Sequence, residues 1–91
     1  MKSVHFFVSG RVQGVCFRHY AVKKAKELGL KGFVKNIHGG RTELRVEGED
    51  TKVDVFLLFC KNNPGYSHVE KIEVEEEREM KKTSFNEFEI L

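Results

Sequence analysis

The sequence is short of cysteine, of long apolar runs and of any strong excess of charge, and each shortage narrows what the protein can be. Cys16 and Cys60 are its two cysteines. Two are too few for the disulfide framework of a small secreted domain, and they form neither a Cys-x-x-Cys pair nor a Cys/His cluster of the kind that holds zinc. A reducing cytoplasm is the compartment this implies. No stretch approaches the roughly 18 apolar residues of a membrane span. The N-terminal MKSVHFFVSGRVQG lacks the longer apolar region and small-residue cleavage site of a signal peptide. Lysine and arginine number 16 against 14 acids, a net charge of +2, which is too mild to draw nucleic acid by bulk electrostatics. A single proline, no repeats and no low-complexity segment leave no linker, so residues 1–91 read as one domain.

What is present is globular. Apolar residues make up 40 % and charged residues 33 % of the chain, enough for one core about two layers thick. Residues 4–9 are aromatic and β-branched and read as a central strand. Phe17, Tyr20, Ala21, Ala25 and Leu28 recur at spacings of three and four, which predicts an amphipathic helix over 17–28 with Gly29 ending it. Residues 30–37 and 41–47 read as a hairpin around His38-Gly39-Gly40. Asp50 or Thr51 is placed to N-cap a second helix over 52–62, whose apolar face carries Val53, Phe56, Leu57 and Cys60. Asn63-Pro64-Gly65 stops it. Residues 68–77 alternate with one phase slip and predict a half-exposed strand. A charged loop over 78–83 and a fifth strand over 84–91 follow, and the run EVEEEREMKK reads as a solvated strand end. The order β-α-β-β-α-β plus a C-terminal strand is the α+β, ferredoxin-like split β-α-β sandwich: an antiparallel sheet with two helices on one face. That fold hosts many activities and names none.

The stretch GRVQGVCFR, residues 10–18, is more informative. A chain leaves a strand, turns on Gly10 and Gly14, and starts a helix near Cys16 or Phe17. Amides in such a loop and in a first helical turn have no partner within the helix. If they converge at the positive end of the helix dipole they cradle an anion, best a phosphoryl group. Arg18 could add a two-pronged contact to its oxygens. The loop is neither a Walker A motif nor Gly-x-Gly-x-x-Gly, and on spacing alone it reads equally as a plain βα turn.

The same nine residues resemble the acylphosphatase signature, Gly-x-Val-Gln-Gly-Val-x-Phe-Arg. Gly32-Phe33-Val34-Lys35-Asn36 is similar to a second segment of that family. Both lie in the expected order, and the resemblance runs the length of the chain. It implies metal-independent hydrolysis of the carboxyl–phosphate anhydride of small acyl phosphates, giving carboxylate and inorganic phosphate with no cofactor. It implies that the amides of Gln13, Gly14, Val15, Cys16 and Phe17 hold the phosphate together with Arg18, and that Asn36 orients the attacking water. A substrate phosphate oxygen takes the water's proton. A carboxylate leaves readily, so a neutral amide suffices to aim water without a strong base. Gln13 either serves through its amide alone or braces the loop through its side chain, with the amide expected to matter more. Cys16 occupies a variable position of the signature and is not a nucleophile. The Cys-x5-Arg loop of the low-molecular-weight tyrosine phosphatases is absent. Cys60 reads as core, and His5, His19, His38 and His68 have no ligand spacing and no expected chemical role. The turn His38-Gly39-Gly40 and the loop Asn63-Pro64-Gly65 depart from the family pattern.

Other functional classes fit less well. A non-catalytic module holding phosphate or carbamoyl phosphate would use the same cradle. An RNA-binding domain of this fold needs an aromatic strand platform, which RTELRVEG does not offer, and a metal carrier needs Cys-x-x-Cys. The partner expected is a small-molecule acyl phosphate, with no nucleic acid and no membrane, acted on by a cytoplasmic monomer.

Overall fold

Alternation in the strands and three-to-four spacing in the helices give each element one apolar face, and joining those faces builds the molecule. The computed structural model describes all residues from Met1 to Leu91. In chain order the elements are β1 (Lys2–Arg11), α1 (Phe17–Glu27), β2 (Lys31–Asn36), a 3-10 turn (His38–Gly40), β3 (Thr42–Gly48), α2 (Asp50–Lys61), β4 (His68–Glu79) and β5 (Phe88–Ile90). The strands form one sheet in the order β4-β1-β3-β2-β5. Val4, Phe6 and Val8 of β1, Val34 of β2, Leu44 and Val46 of β3 and Phe88 of β5 are buried with Phe17, Ala21 and Ala25 of α1 and Val53, Phe56 and Cys60 of α2. Both helices therefore pack against one face of the sheet, as the α+β reading requires. Burial pushes the Cys60 thiol above its ordinary range.

The sheet departs from the expected all-antiparallel arrangement at one edge. β1–β3, β1–β4 and β2–β3 are antiparallel, but β5 runs parallel to β2, with Gly32 opposite Phe88. A chain that reverses after β4 runs in the direction of β1 and β2, so landing beside β2 makes the pair parallel and the sheet mixed. The last strand is also shorter than residues 84–91. Glu47 is fully buried, and its carboxylate accepts from the Ser84 amide at 2.7 Å, from the Ser84 hydroxyl at 2.8 Å and from the Ser3 hydroxyl at 3.4 Å. Phe85 meets Phe33 edge-on at 5.9 Å on the face away from the helices. Residues 84–87 are thus a strap fixed to the sheet rather than part of a strand.

Two other boundaries move. β4 continues to Glu79 because Arg78 and Glu79 pair with Ser3 and Lys2 of β1. The phase slip in its pattern corresponds to two bulges, where Glu70 and Glu75 have no partner on β1. The N-cap of α2 is Glu49, whose carbonyl accepts from Val53, rather than Asp50 or Thr51. Asp50 lies inside the first turn, where a carboxylate favours the helix dipole and meets the N-terminal ammonium at 3.4 Å.

Candidate active site

The β1–β3 ladder ends at the pair Val8–Thr42, and beyond it β1 follows β4 alone. Gly10 takes φ 119° there, and a side chain at that position would strike the His68 carbonyl. The chain then turns through residues 12–16. Gly14 has φ 73° and Cys16 φ 66°, both left-handed, with an ordinary negative φ between them. Alternation of this kind is the backbone pattern on which anion nests are built. A non-glycine residue in this region is strained by about 1 kcal/mol, and strain of this kind gathers at functional sites. Cys16 is also the N-cap of α1, with no side-chain cap bond and no acid in the first turn.

The hydrogen-bond pattern shows what this loop leaves open. Tyr20 donates to the Cys16 carbonyl at 3.2 Å, the first amide of the helix to find an acceptor. The amides from Gln13 through His19 donate to no protein group. They sit at the positive end of α1, free for an external anion. Arg18 is half-buried and forms no ion pair or hydrogen bond within the protein. It lines a cleft of about 420 Å³. Gly14, Cys16 and His19 border the same cleft, while Val12, Phe17 and Ile90 of β5 make its apolar wall.

Asn36 stands at the end of β2, opposite Thr42 in register. Its Oδ1 accepts from the buried Thr42 hydroxyl at 3.1 Å, which leaves Nδ2 without a protein partner and fixes the plane of the amide. Asn36 does not border the cleft beside Arg18. It approaches the loop from the hairpin, and Gln13 closes the gap: its Nε2 donates to the Ile37 carbonyl at 3.1 Å and to the Arg41 carbonyl at 2.8 Å. Thr42 did not stand out in the sequence, although pairing the hairpin around His38-Gly39-Gly40 would have set it across from Asn36. Of the histidines, His19 borders the cleft and His5 pairs with Glu43 at 2.6 Å on the opposite face. No three His, Cys, Asp or Glu side chains gather as a metal site.

A model of the acylphosphatase family matches residues 4–90. The chain belongs to the acylphosphatase family. It is 47 % identical to an acylphosphatase of Methylococcus capsulatus, over 100 % of this chain and 97 % of that one. The crystal structure of the acylphosphatase from Bacillus subtilis superposes with a TM-score of 0.92 at 34 % identity, covering 100 % of this chain and 99 % of the other. The chain is also similar to a part of full-length HypF in its phosphate- and nucleotide-bound form, with a TM-score of 0.80 at 30 % identity and 12 % of that chain covered. Both of these acylphosphatases match along nearly their whole length. In this acylphosphatase-family chain the signature residues 10–18 hold the left-handed turn and the first of the unpartnered amides, and the second motif ends in the half-buried Asn36.

Proposed function

We propose that the protein hydrolyses the carboxyl–phosphate anhydride of small acyl phosphates, releasing a carboxylate and inorganic phosphate without metal or cofactor. The observation that carries this reading is the unbroken run of free amides from Gln13 to His19 beside the unpaired Arg18. The phosphate sits in the nest on the amides of Gln13, Gly14, Val15, Cys16 and Phe17. Arg18 takes two of its oxygens, whose charge grows as the bond to the leaving group breaks. Asn36, held by Thr42, presents its free Nδ2 edge to a water and aims it at phosphorus in line with the departing carboxylate. The water's proton passes to a phosphate oxygen, the P–O bond to the acyl group breaks, and its electron pair leaves with the carboxylate.

A non-catalytic binding module would use the cradle but give Asn36 no task. It is not favoured, because the relatives above that match over nearly the whole of both chains are acylphosphatases. No helix is long and apolar enough to cross a membrane. The protein works as a cytoplasmic monomer of one domain, independent of nucleic acid. The long edge of β4 supports the monomer, because charged side chains, Glu70, Lys71, Glu73, Glu75, Glu77 and Arg78 among them, line it and blunt pairing with a second copy.

Hydrolysis of benzoyl phosphate in the presence of EDTA tests the proposal, with inorganic phosphate added as a competitor. Activity that survives EDTA and collapses in Arg18→Ala and Asn36→Ala supports it, given circular dichroism spectra that match the parent. A folded protein that binds phosphate and turns over nothing sinks it in favour of the binding module.

A further inference from the structure

Gln13 has two relations to the site, and they concern different halves of it. Its backbone amide begins the run of free donors that faces the phosphate. Its side chain leaves the loop and spans the open end of the β2–β3 hairpin. Both acceptors are carbonyl oxygens, which cannot donate, so the orientation of the Gln13 amide is fixed by chemistry and both of its N–H groups are used. The Arg41 carbonyl also accepts from the Ile37 amide at 3.0 Å. Ile37 follows Asn36, Arg41 precedes Thr42, and Asn36 and Thr42 are the last pair of the hairpin ladder.

Nothing else hydrogen-bonds the loop to this hairpin. The ladder from β1 to β3 stops at Val8. Within the loop, the Val12 amide returns to Gly10, and the Val15 carbonyl accepts from Tyr66, which follows α2. The covalent path from Gln13 to Asn36 runs through the whole of α1. Beyond the sheet itself, the loop is hydrogen-bonded into register with Asn36 by this one side chain.

We infer that Gln13 is a positioning residue for catalysis: its side-chain amide holds the phosphate loop in register with Asn36. This rests on the role given to Asn36 above. The cradle binds phosphate with main-chain groups that Gln13 does not supply through its side chain, so cutting the strut leaves ground-state affinity in place. What suffers is the aim of the water at phosphorus, a property of the transition state alone. Misplacement by about 1 Å costs on the order of a hundredfold in rate.

The experiment is a double-mutant cycle on benzoyl phosphate hydrolysis with Gln13→Met, Asn36→Ala and the double variant. Each is measured for kcat, KM and the inhibition constant of inorganic phosphate, and Gln13→Asn, which keeps the donors but is one methylene short, gives an independent second cut. The expected result for Gln13→Met is a fall in kcat of about tenfold to a hundredfold, with phosphate inhibition changed less than about twofold. In the Asn36→Ala background the same change costs less than about threefold, because the strut has nothing left to aim. Two losses that multiply overturn the inference and leave the role of Asn36 standing. A rise in the phosphate inhibition constant that accounts for the lost activity in both Gln13 variants also overturns it and assigns the side chain to the cradle. An Asn36→Ala variant with full kcat removes the role of Asn36 and this inference with it.

Discussion

Arg18 is a cation that the fold leaves uncommitted: it is half-buried at a helix start with no carboxylate beside it. A guanidinium kept free at a cleft is expected to act on the ligand, so Arg18→Ala should lower kcat/KM by about a hundredfold to a thousandfold, measured on benzoyl phosphate. Arg18→Lys keeps the charge and loses the fork, and should recover part of that loss. Cys16 makes the opposite prediction. Its place is defined by a left-handed backbone at φ 66°, so Cys16→Gly should relieve strain and keep kcat within about threefold. A loss of hundreds-fold would instead make the thiol a reactant. At this scale the sequence was legible where function is carried by a contiguous motif. GRVQGVCFR contained the left-handed turn with its unpartnered amides and the unpaired Arg18, and GFVKN contained Asn36. That Gln13 could brace through its side chain was legible, but Thr42 and the acceptors on Ile37 and Arg41 were not, because they meet only once the hairpin register and the loop path are set; Gln13 and Arg41 are 28 positions apart.

The strap of residues 84–87 is the element that local pattern misread. Phe85, Phe88 and Ile90 suggest one continuous strand, yet Ser84 is captured by a buried carboxylate of a distant strand, and Phe85 turns to the face opposite Phe88. A single residue thus decides where β5 begins. Glu47→Ala removes the acceptor of the Ser84 amide and of two hydroxyls, and is expected to cost about 2–3 kcal/mol. Thermal denaturation should show the midpoint lowered by roughly 10–20 °C. Glu47→Gln, which still accepts on one side, should lose less. The same limit explains why the direction of β5 escaped the sequence while the order of elements did not. Periodicity states which residues face the core, and says nothing of which neighbour a final strand will choose.

For the molecule as a whole, titration links the core to solvent conditions. The buried Cys60 keeps its proton in the folded state, whereas in an unfolded chain a thiol ionises near about pH 8.5. The unfolded form therefore binds fewer protons above that pH, and stability falls as pH rises, at most about 1.4 kcal/mol per unit from this one group. Lys2 acts in the same direction. Its hydrogen bond to Asp54 raises its affinity for a proton, so its contribution is complete below the lysine range and fades as pH climbs through it. Urea denaturation at about pH 7 and about pH 10 should show a marked alkaline loss, and Cys60→Ala should flatten it while costing about 1 kcal/mol near neutrality. An alkaline loss of the same size in Cys60→Ala would assign the effect to other groups.

The apolar wall of the cleft has its own consequence. Ile90 belongs to a strand of three residues at the sheet edge, paired in parallel with Gly32 to Val34 of β2 and anchored by the buried Phe88. Short edge segments open far more often than the strands beside them. On the proposed reading the phosphoryl group rests against main-chain donors at a helix start, and the organic group rests against Ile90 of this short edge strand. A site so built grips the part that every acyl phosphate shares and meets the part in which they differ with apolar contacts that make no directional demand.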